Sequence, residues 1–220
     1  YEMQRSLVGS EMCIRDRTSE IIVGRVEGET GKVAELVMNT TFVSAVHAEL
    51  SELGLEEKSA EKVLHYAETA AKRDTDRATF QAMEALIHNL NTMHSRAGAQ
   101  TPFSSINYGM DTSAEGRMVI KNILLATEAG LGSGETPIFP VQIFRVKEGV
   151  NYNPGDPNYD LFKLAMRCSA KRLFPNFSFL DAPYNLQYYK GTPETEISYM
   201  GCRTRVMGNF YDPEREITTG

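Results

Sequence analysis

TPFSSINYGMDTSAEGRMVIKNILLATEAGLGSGETPIFPVQIFRVK, residues 101–147, changes its hydrophobic rhythm twice, and the fold follows from those changes. Residues 101–108 read as a strand. Residues 111–132 then space their apolar positions at helical intervals, open with a capping-box pattern from Thr112 to Glu115, and close on glycines. Residues 136–147 return to a strand. Further along, Asp156 and Pro157 form an N-cap and first-turn pair ahead of 158–173, a helix with Leu161, Leu164, Ala165 and Cys168 on its apolar side. Residues 176–183 and 195–200 read as two more strands. Strand, helix, strand, helix, strand is the order of an α/β layer fold or barrel.

Towards the N-terminus the pattern is helical from 32 to 96. Val33, Leu36, Val37, Thr40, Val43, Val46, Leu50 and Leu53 recur at three- and four-residue steps and stop near Gly54. A second helix runs from Ser59 to about Arg73, and a third carries Phe80, Met83, Ile87, Leu90 and His94 on one stripe. Helices of this length either pack within the chain, the commoner outcome, or pair with a second subunit. The opening YEMQRSLVGSEMCIRDR, residues 1–17, has neither helical nor strand periodicity and no apolar core of a signal peptide. It is similar to translated sequencing adapter and is set aside as an unstructured artefact, together with Cys13. The rest, 18–220, is expected to be one incomplete domain within a longer protein, with a helical part at 32–96 and a strand–helix part at 101–220.

Composition narrows the function. A formal charge of −6 argues against a nucleic-acid surface, and no run of 18 or more apolar residues exists to span a membrane. Cys13, Cys168 and Cys202 lie far apart without a C-x-x-C pair, which speaks against a disulfide framework or a zinc ribbon and fits a reducing cytoplasm.

The obvious motifs have plain readings. GLGSGETP, residues 130–137, is glycine-rich but follows a helix and precedes a strand, the reverse of the order that lets a helix N-terminus hold phosphate; it reads as a helix-ending turn. NYNPGDPNYD, residues 151–160, offers oxygen ligands at spacings that do not match a calcium loop. His47, His65, His88 and His94 lack a partner at i, i+4, so no metal site is expected. Cys168 belongs to an apolar stripe, where a thiol acts as a small hydrophobe.

Two features remain open. Ser104, Ser105, Asn107, Gln142, Asn176, Ser178 and Asp181 are polar within strand-like segments. They either line a barrel mouth and hydrogen-bond a polar substrate, or face solvent and cap turns. In SYMGCRTRVMGN, residues 198–209, Cys202 follows Gly201 and is flanked by Arg203 and Arg205, which places it at a tight turn. A nearby guanidinium favours a thiolate nucleophile, but no histidine base lies within a hundred residues. Spacing alone leaves nucleophile and structural thiol both standing.

Four blocks carry a resemblance: QAMEALIHNLNTMHSRAGAQTPFSSINYG (81–109), GETPIFPVQIFRVKEGVNYNPGDPNYDLFKLA (134–165), SAKRLFPNFSFLDAPYNLQYY (169–189) and YMGCRTRVMGN (199–209). In this order they resemble the anaerobic ribonucleoside-triphosphate reductases, the glycyl-radical class of ribonucleotide reductase. The resemblance implies a ten-stranded α/β barrel, of which this chain holds part, with long helices before it. A loop threads the barrel and carries the radical-relay cysteine, here Cys202, with Met200, Gly201 and Arg203 around it. The thiol gives hydrogen to a stored glycyl radical, the thiyl takes the 3′ hydrogen of a ribonucleoside triphosphate, and the 2′-hydroxyl leaves as water. Such a relay needs a neutral S–H and no general base, so Arg203 has to be turned aside or paired.

On that reading Ser104, Ser105 and Asn107 are candidate substrate donors, and SRAGAQ (95–100) is the candidate for the loop that senses an ATP or deoxynucleotide effector, through Arg96 and Gln100; an ordinary turn at Gly98 is the alternative. The resemblance implies a homodimeric cytoplasmic parent that binds no nucleic acid or membrane. The activating partner is an iron–sulfur enzyme using S-adenosylmethionine, and formate is the reductant. The glycyl-radical site, the four-cysteine zinc site, the ATP-binding cone and a second active-site cysteine fall outside this chain. The isolated piece is therefore expected to be inactive and to expose strand edges. Two rival readings stand beside this one: a cysteine-nucleophile transferase, and a catalytically silent nucleotide-binding module.

Overall fold

The computed structural model describes residues 57–92, 101–192, 195–201, 204–208 and 217–219. The chain divides into two compact units, 1–78 and 79–220. The helix α1, Glu57–Thr92, runs through the boundary without a break. Separate helices at 59–73 and from 80 were expected, and the structure joins them. RDTDRAT, residues 73–79, interrupts the apolar rhythm but contains no glycine or proline, so nothing in the backbone ends the helix there. The helix expected over 32–54 lies outside the described residues.

The larger unit has β1 (Ser105–Tyr108), α2 (Ala114–Ala129), β2 (Val141–Val146), α3 (Tyr159–Arg172) and β3 (Asn176–Phe179) in chain order. The strands form one parallel sheet in the order β1-β2-β3, as strand–helix–strand units do. Ser105 stands opposite Val141 and Asn107 opposite Ile143; Ile143 in turn faces Asn176, and Arg145 faces Ser178. After a single turn of helix α4 (Pro183–Leu186), β4 (Ser198–Met200), β5 (Thr204–Met207) and β6 (Ile217–Thr219) make an antiparallel sheet in that order. The fold is mixed α/β, as the segment order predicts. β5 and β6 were not expected. The observed strands are also shorter than the apolar runs, since Pro137 and Pro140 lack the donor that would extend β2 backwards.

Helices α2 and α3 pack together against one face of the parallel sheet. Val119, Ile120, Ile123 and Leu124 of α2 and Leu161, Ala165 and Cys168 of α3 are buried, and Phe144 is fully buried. Its ring contacts Tyr108 edge-on at 5.7 Å and Phe177 at 6.0 Å. A polar chain crosses this core. The Tyr108 hydroxyl donates to Gln142 Oε1 at 2.6 Å, Gln142 Nε2 donates to Thr127 Oγ1 at 2.8 Å, and Thr127 donates to Ile123 O at 2.7 Å. Every member is satisfied, so the buried polarity is tolerated.

The helix ends depart from two expectations. Ser113, not Thr112, caps α2, accepting from Gly116 N at 3.0 Å, and Asp111 accepts from Ser113 N at 2.8 Å. The Asp111 carboxylate fills the space where a Cβ at position 116 would sit, which explains the glycine. At α3 the cap is Asn158, not Asp156, and its side chain makes no capping bond. Asp156 instead accepts from Asn153 N at 2.8 Å, closing the preceding turn. Gly130 ends α2 as read, and Arg172 completes that end by donating to Glu128 O, Ala129 O and Gly134 O at 2.6 to 2.9 Å.

Candidate active site

The sheet's face turned away from α2 and α3 mixes polar side chains with the apolar Val141 and Ile143. Tyr108, Gln142 and Phe144 point to the helices, so alternation turns Asn107, Ile143 and Arg145 to the other side, with Ser105 two residues before Asn107. Ser178, opposite Arg145, shares that face. The segment 196–201 is laid against it.

Three tethers hold that segment. Glu196 accepts from Arg145 Nη1 at 3.1 Å and Lys147 Nζ at 3.4 Å. Asn107 Nδ2 donates to Tyr199 O at 2.7 Å while its Oδ1 accepts from Tyr199 N at 2.9 Å, so one side chain closes both hydrogen bonds of a strand neighbour. Gly201 N donates to Ser105 Oγ at 3.0 Å. Gly201 begins the turn from β4 to β5 in the left-handed region, φ +62°, with Phe103 close to where a Cβ would point. Met200 beside it is mostly exposed.

The far side of the hairpin is held by aromatic groups. Arg205, paired with Tyr199 across β4 and β5, lies over the rings of Tyr184 at 5.3 Å and Tyr188 at 5.8 Å. The hydrogen bond with Tyr199 raises its already high pKa further. The Tyr199 hydroxyl also lies 3.4 Å from Asn185 Oδ1. Beneath the hairpin, burial lowers the pKa of Arg145 and Glu196 opposes the shift. Arg145 Nε and Ser178 Oγ are buried and have no hydrogen-bond partner. A cleft beside Lys147, Asn185 and Glu196 measures about 30 Å³, space for a water or two and far too small for a nucleoside.

Of the residues singled out by sequence, Ser105, Asn107, Met200 and Gly201 come together here. Ser104 stands just before β1, its hydroxyl 3.4 Å from Pro102 O. Cys202, Arg203, Arg96 and Gln100 lie outside the described residues. Gln142 turns to the helices and belongs to the core, Asn176 is exposed, and Asp181 accepts from Glu148 N at 2.7 Å. Sequence reasoning missed Arg145, Glu196, Asn185 and Tyr199. Arg145 alone had a signal, a charge inside the apolar run VQIFRV.

Cys168 is a core thiol. It is fully buried, its Sγ lies 3.5 Å from Leu124 O, and burial together with Glu128 pushes its pKa up to about 11. Among the described residues no group of three or more His, Cys, Asp or Glu side chains could hold a metal ion, and no helix is long and apolar enough to cross a membrane.

The described residues thus define a mixed α/β protein in which a parallel sheet carries, on the face turned away from α2 and α3, the antiparallel pair β4 and β5. The family model for anaerobic ribonucleoside-triphosphate reductase matches residues 34–220, and the chain belongs to that family. It is 36% identical over 151 residues to the anaerobic ribonucleoside-triphosphate reductase of Haemophilus influenzae, covering 68% of this chain and 20% of that protein. The Escherichia coli protein of the same name is 36% identical over 139 residues, 63% of this chain and 18% of its own length. The one from phage T4 is 38% identical over 142 residues, 64% and 22%. The chain thus spans about a fifth of the length of the curated relatives it matches.

Proposed function

We propose that this chain is the part of an anaerobic ribonucleoside-triphosphate reductase that presents the radical-relay thiol, Cys202, to the substrate ribose. The observation that carries the reading is the hairpin fixed by side chains to the face of the parallel sheet turned away from α2 and α3, with the sequence MGCR at its turn. The three parallel strands form part of the ten-stranded barrel of this class, and β4 and β5 are the two limbs of its central loop.

The stored glycyl radical of the whole enzyme supplies the one-electron oxidant. Cys202 yields its thiol hydrogen, takes the 3′ hydrogen of the ribonucleoside triphosphate, and returns a hydrogen once the 2′-hydroxyl has left as water and formate has provided two electrons. This requires a neutral S–H. Arg205, engaged by tyrosine rings, is one flanking guanidinium directed elsewhere. Ser105, which accepts from Gly201 N, keeps its own hydroxyl proton to donate, and Asn107 retains a second amide hydrogen; these, with Ser104, whose hydroxyl would exchange its bond to Pro102 O for one to substrate, are the proposed contacts to substrate hydroxyls. Arg96 and Gln100 in the 95–100 loop are the proposed effector contacts. The whole enzyme acts as a cytoplasmic homodimer activated by a radical S-adenosylmethionine partner. No step is assigned to the zinc of the class.

The nucleophile and silent-module readings gain nothing from the comparisons. The test is a substrate deuterated at C3′, turned over anaerobically by the full-length enzyme. A rate lowered by deuterium, or release of the label to solvent, supports the reading; turnover with an untouched C3′–D bond and no isotope effect overturns it.

A further inference from the structure

β4 is the edge strand of its sheet, with β5 on one side only. An edge normally finds another strand's backbone or water. Here two side chains of β1 take that place. Asn107 engages both peptide groups of Tyr199, and Ser105, two residues earlier in β1, engages the amide of Gly201, two residues later and just past the end of β4. The two contacts share one register: a step back along β1 matches a step forward along β4, as in an antiparallel ladder, with side chains supplying the partners. The pleat makes this possible, since residues 105 and 107 point to one face. Glu196, bound to Arg145 and Lys147, pins the near end of the segment to the neighbouring strand.

We infer that Asn107 and Ser105 are positioning residues that set the register of the Cys202 loop, and so the distance from its thiol to the ribose. The inference rests on the function proposed above. A slip of one residue would move the turn by about 3.3 Å along β1. Hydrogen-atom transfer needs near-contact geometry, and a displacement of about 1 Å already costs roughly 100-fold in rate. Water could solvate the freed peptide groups of Tyr199 but would hold them in no register.

The test uses the full-length enzyme. In Asn107→Ala, exchange at the Tyr199 amide should accelerate roughly tenfold or more. kcat should fall about 100-fold, alongside any rise in KM from the lost substrate contact. Asn107→Asp keeps the acceptor for Tyr199 N and loses the donor to Tyr199 O, so the Tyr199 amide should stay protected and kcat should fall less. Ser105→Ala should free the Gly201 amide alone. Unchanged exchange at Tyr199 in Asn107→Ala, or lost protection with wild-type kcat, overturns the inference. Should Asn107→Ala fail to fold, Asn107→Asp and Ser105→Ala decide it by the same readings. Cys202→Ser separates the two levels: activity surviving that change refutes the radical reading, while protection at Tyr199 and Gly201 reports on the clamp regardless.

Discussion

Replacing Asn151 by leucine, which keeps the branched skeleton but puts methyl groups in place of the amide oxygen and nitrogen, removes a junction that no neighbour can replace. Asn151 is fully buried. Its Nδ2 donates to Gly109 O at 3.0 Å and Arg145 O at 2.9 Å, and its Oδ1 accepts from Lys147 N at 2.9 Å. Gly109 O keeps a second donor, Asn158 Nδ2 at 3.1 Å, so the substitution chiefly strips Arg145 O and Lys147 N. At about 1–3 kcal/mol for each buried peptide group left unmet, the loss is about 3–4 kcal/mol. With a urea slope of about 2 kcal/mol/M for a unit of this size, the unfolding midpoint should drop by about 1.5–2 M. Urea titration followed by circular dichroism of the wild-type and Asn151→Leu chains measures it. A shift below about 0.5 M would refute the claim that this side chain, rather than apolar packing, ties the 147–158 loop to the carboxyl ends of β1 and β2.

Two further outcomes follow from the same structure. The folded-state pKa of Cys168, about 11, lies above its unfolded value near 9, so the folded chain holds that proton more tightly. Its contribution is complete below pH 9 and is lost as pH rises towards 11, roughly 2–3 kcal/mol at the limit; denaturant titrations across this window should show the decline in the wild type and a shallower one in Cys168→Ala. Gly109→Ala should cost about 2–4 kcal/mol, because φ there is +117° and a Cβ would lie 2.8 Å from Arg145 O; a change in melting free energy under about 1 kcal/mol would contradict the strain.

Much of the fold is legible because burial writes a period into the chain. The 3.6-residue spacing of Leu161, Ala165 and Cys168 and the apolar run around Phe144 mark α3 and β2, and their alternation implies the parallel sheet. What stays hidden is polar and long-range. Asn91 binds the backbone of Ile138 and Phe139, Asn107 that of Tyr199, and Asn151 and Asn158 meet at Gly109 O. Each asparagine stands in for a peptide group across 42 to 92 residues of sequence, and nothing beside it in the chain announces the partner. The same blindness shifted the cap of α3, where Asn158 is held by Gly109 O and Asp111 O, whereas at α2 a local contact from Ser113 N to Asp111 moved the cap by one residue. The site was half visible: Ser105, Asn107 and Gly201 stood out as polar or flexible strand positions, whereas Glu196 and Arg145 matter only once β4 crosses the sheet.

The central claim is that Cys202 relays a hydrogen atom. It is tested most directly by loading full-length Cys202→Ser enzyme with its glycyl radical, confirming the radical by electron paramagnetic resonance, and assaying anaerobic nucleotide reduction. The account predicts a radical signal that persists, nucleotide binding that is unchanged, and no deoxynucleotide formed; deoxynucleotide at anything near the wild-type rate would contradict it.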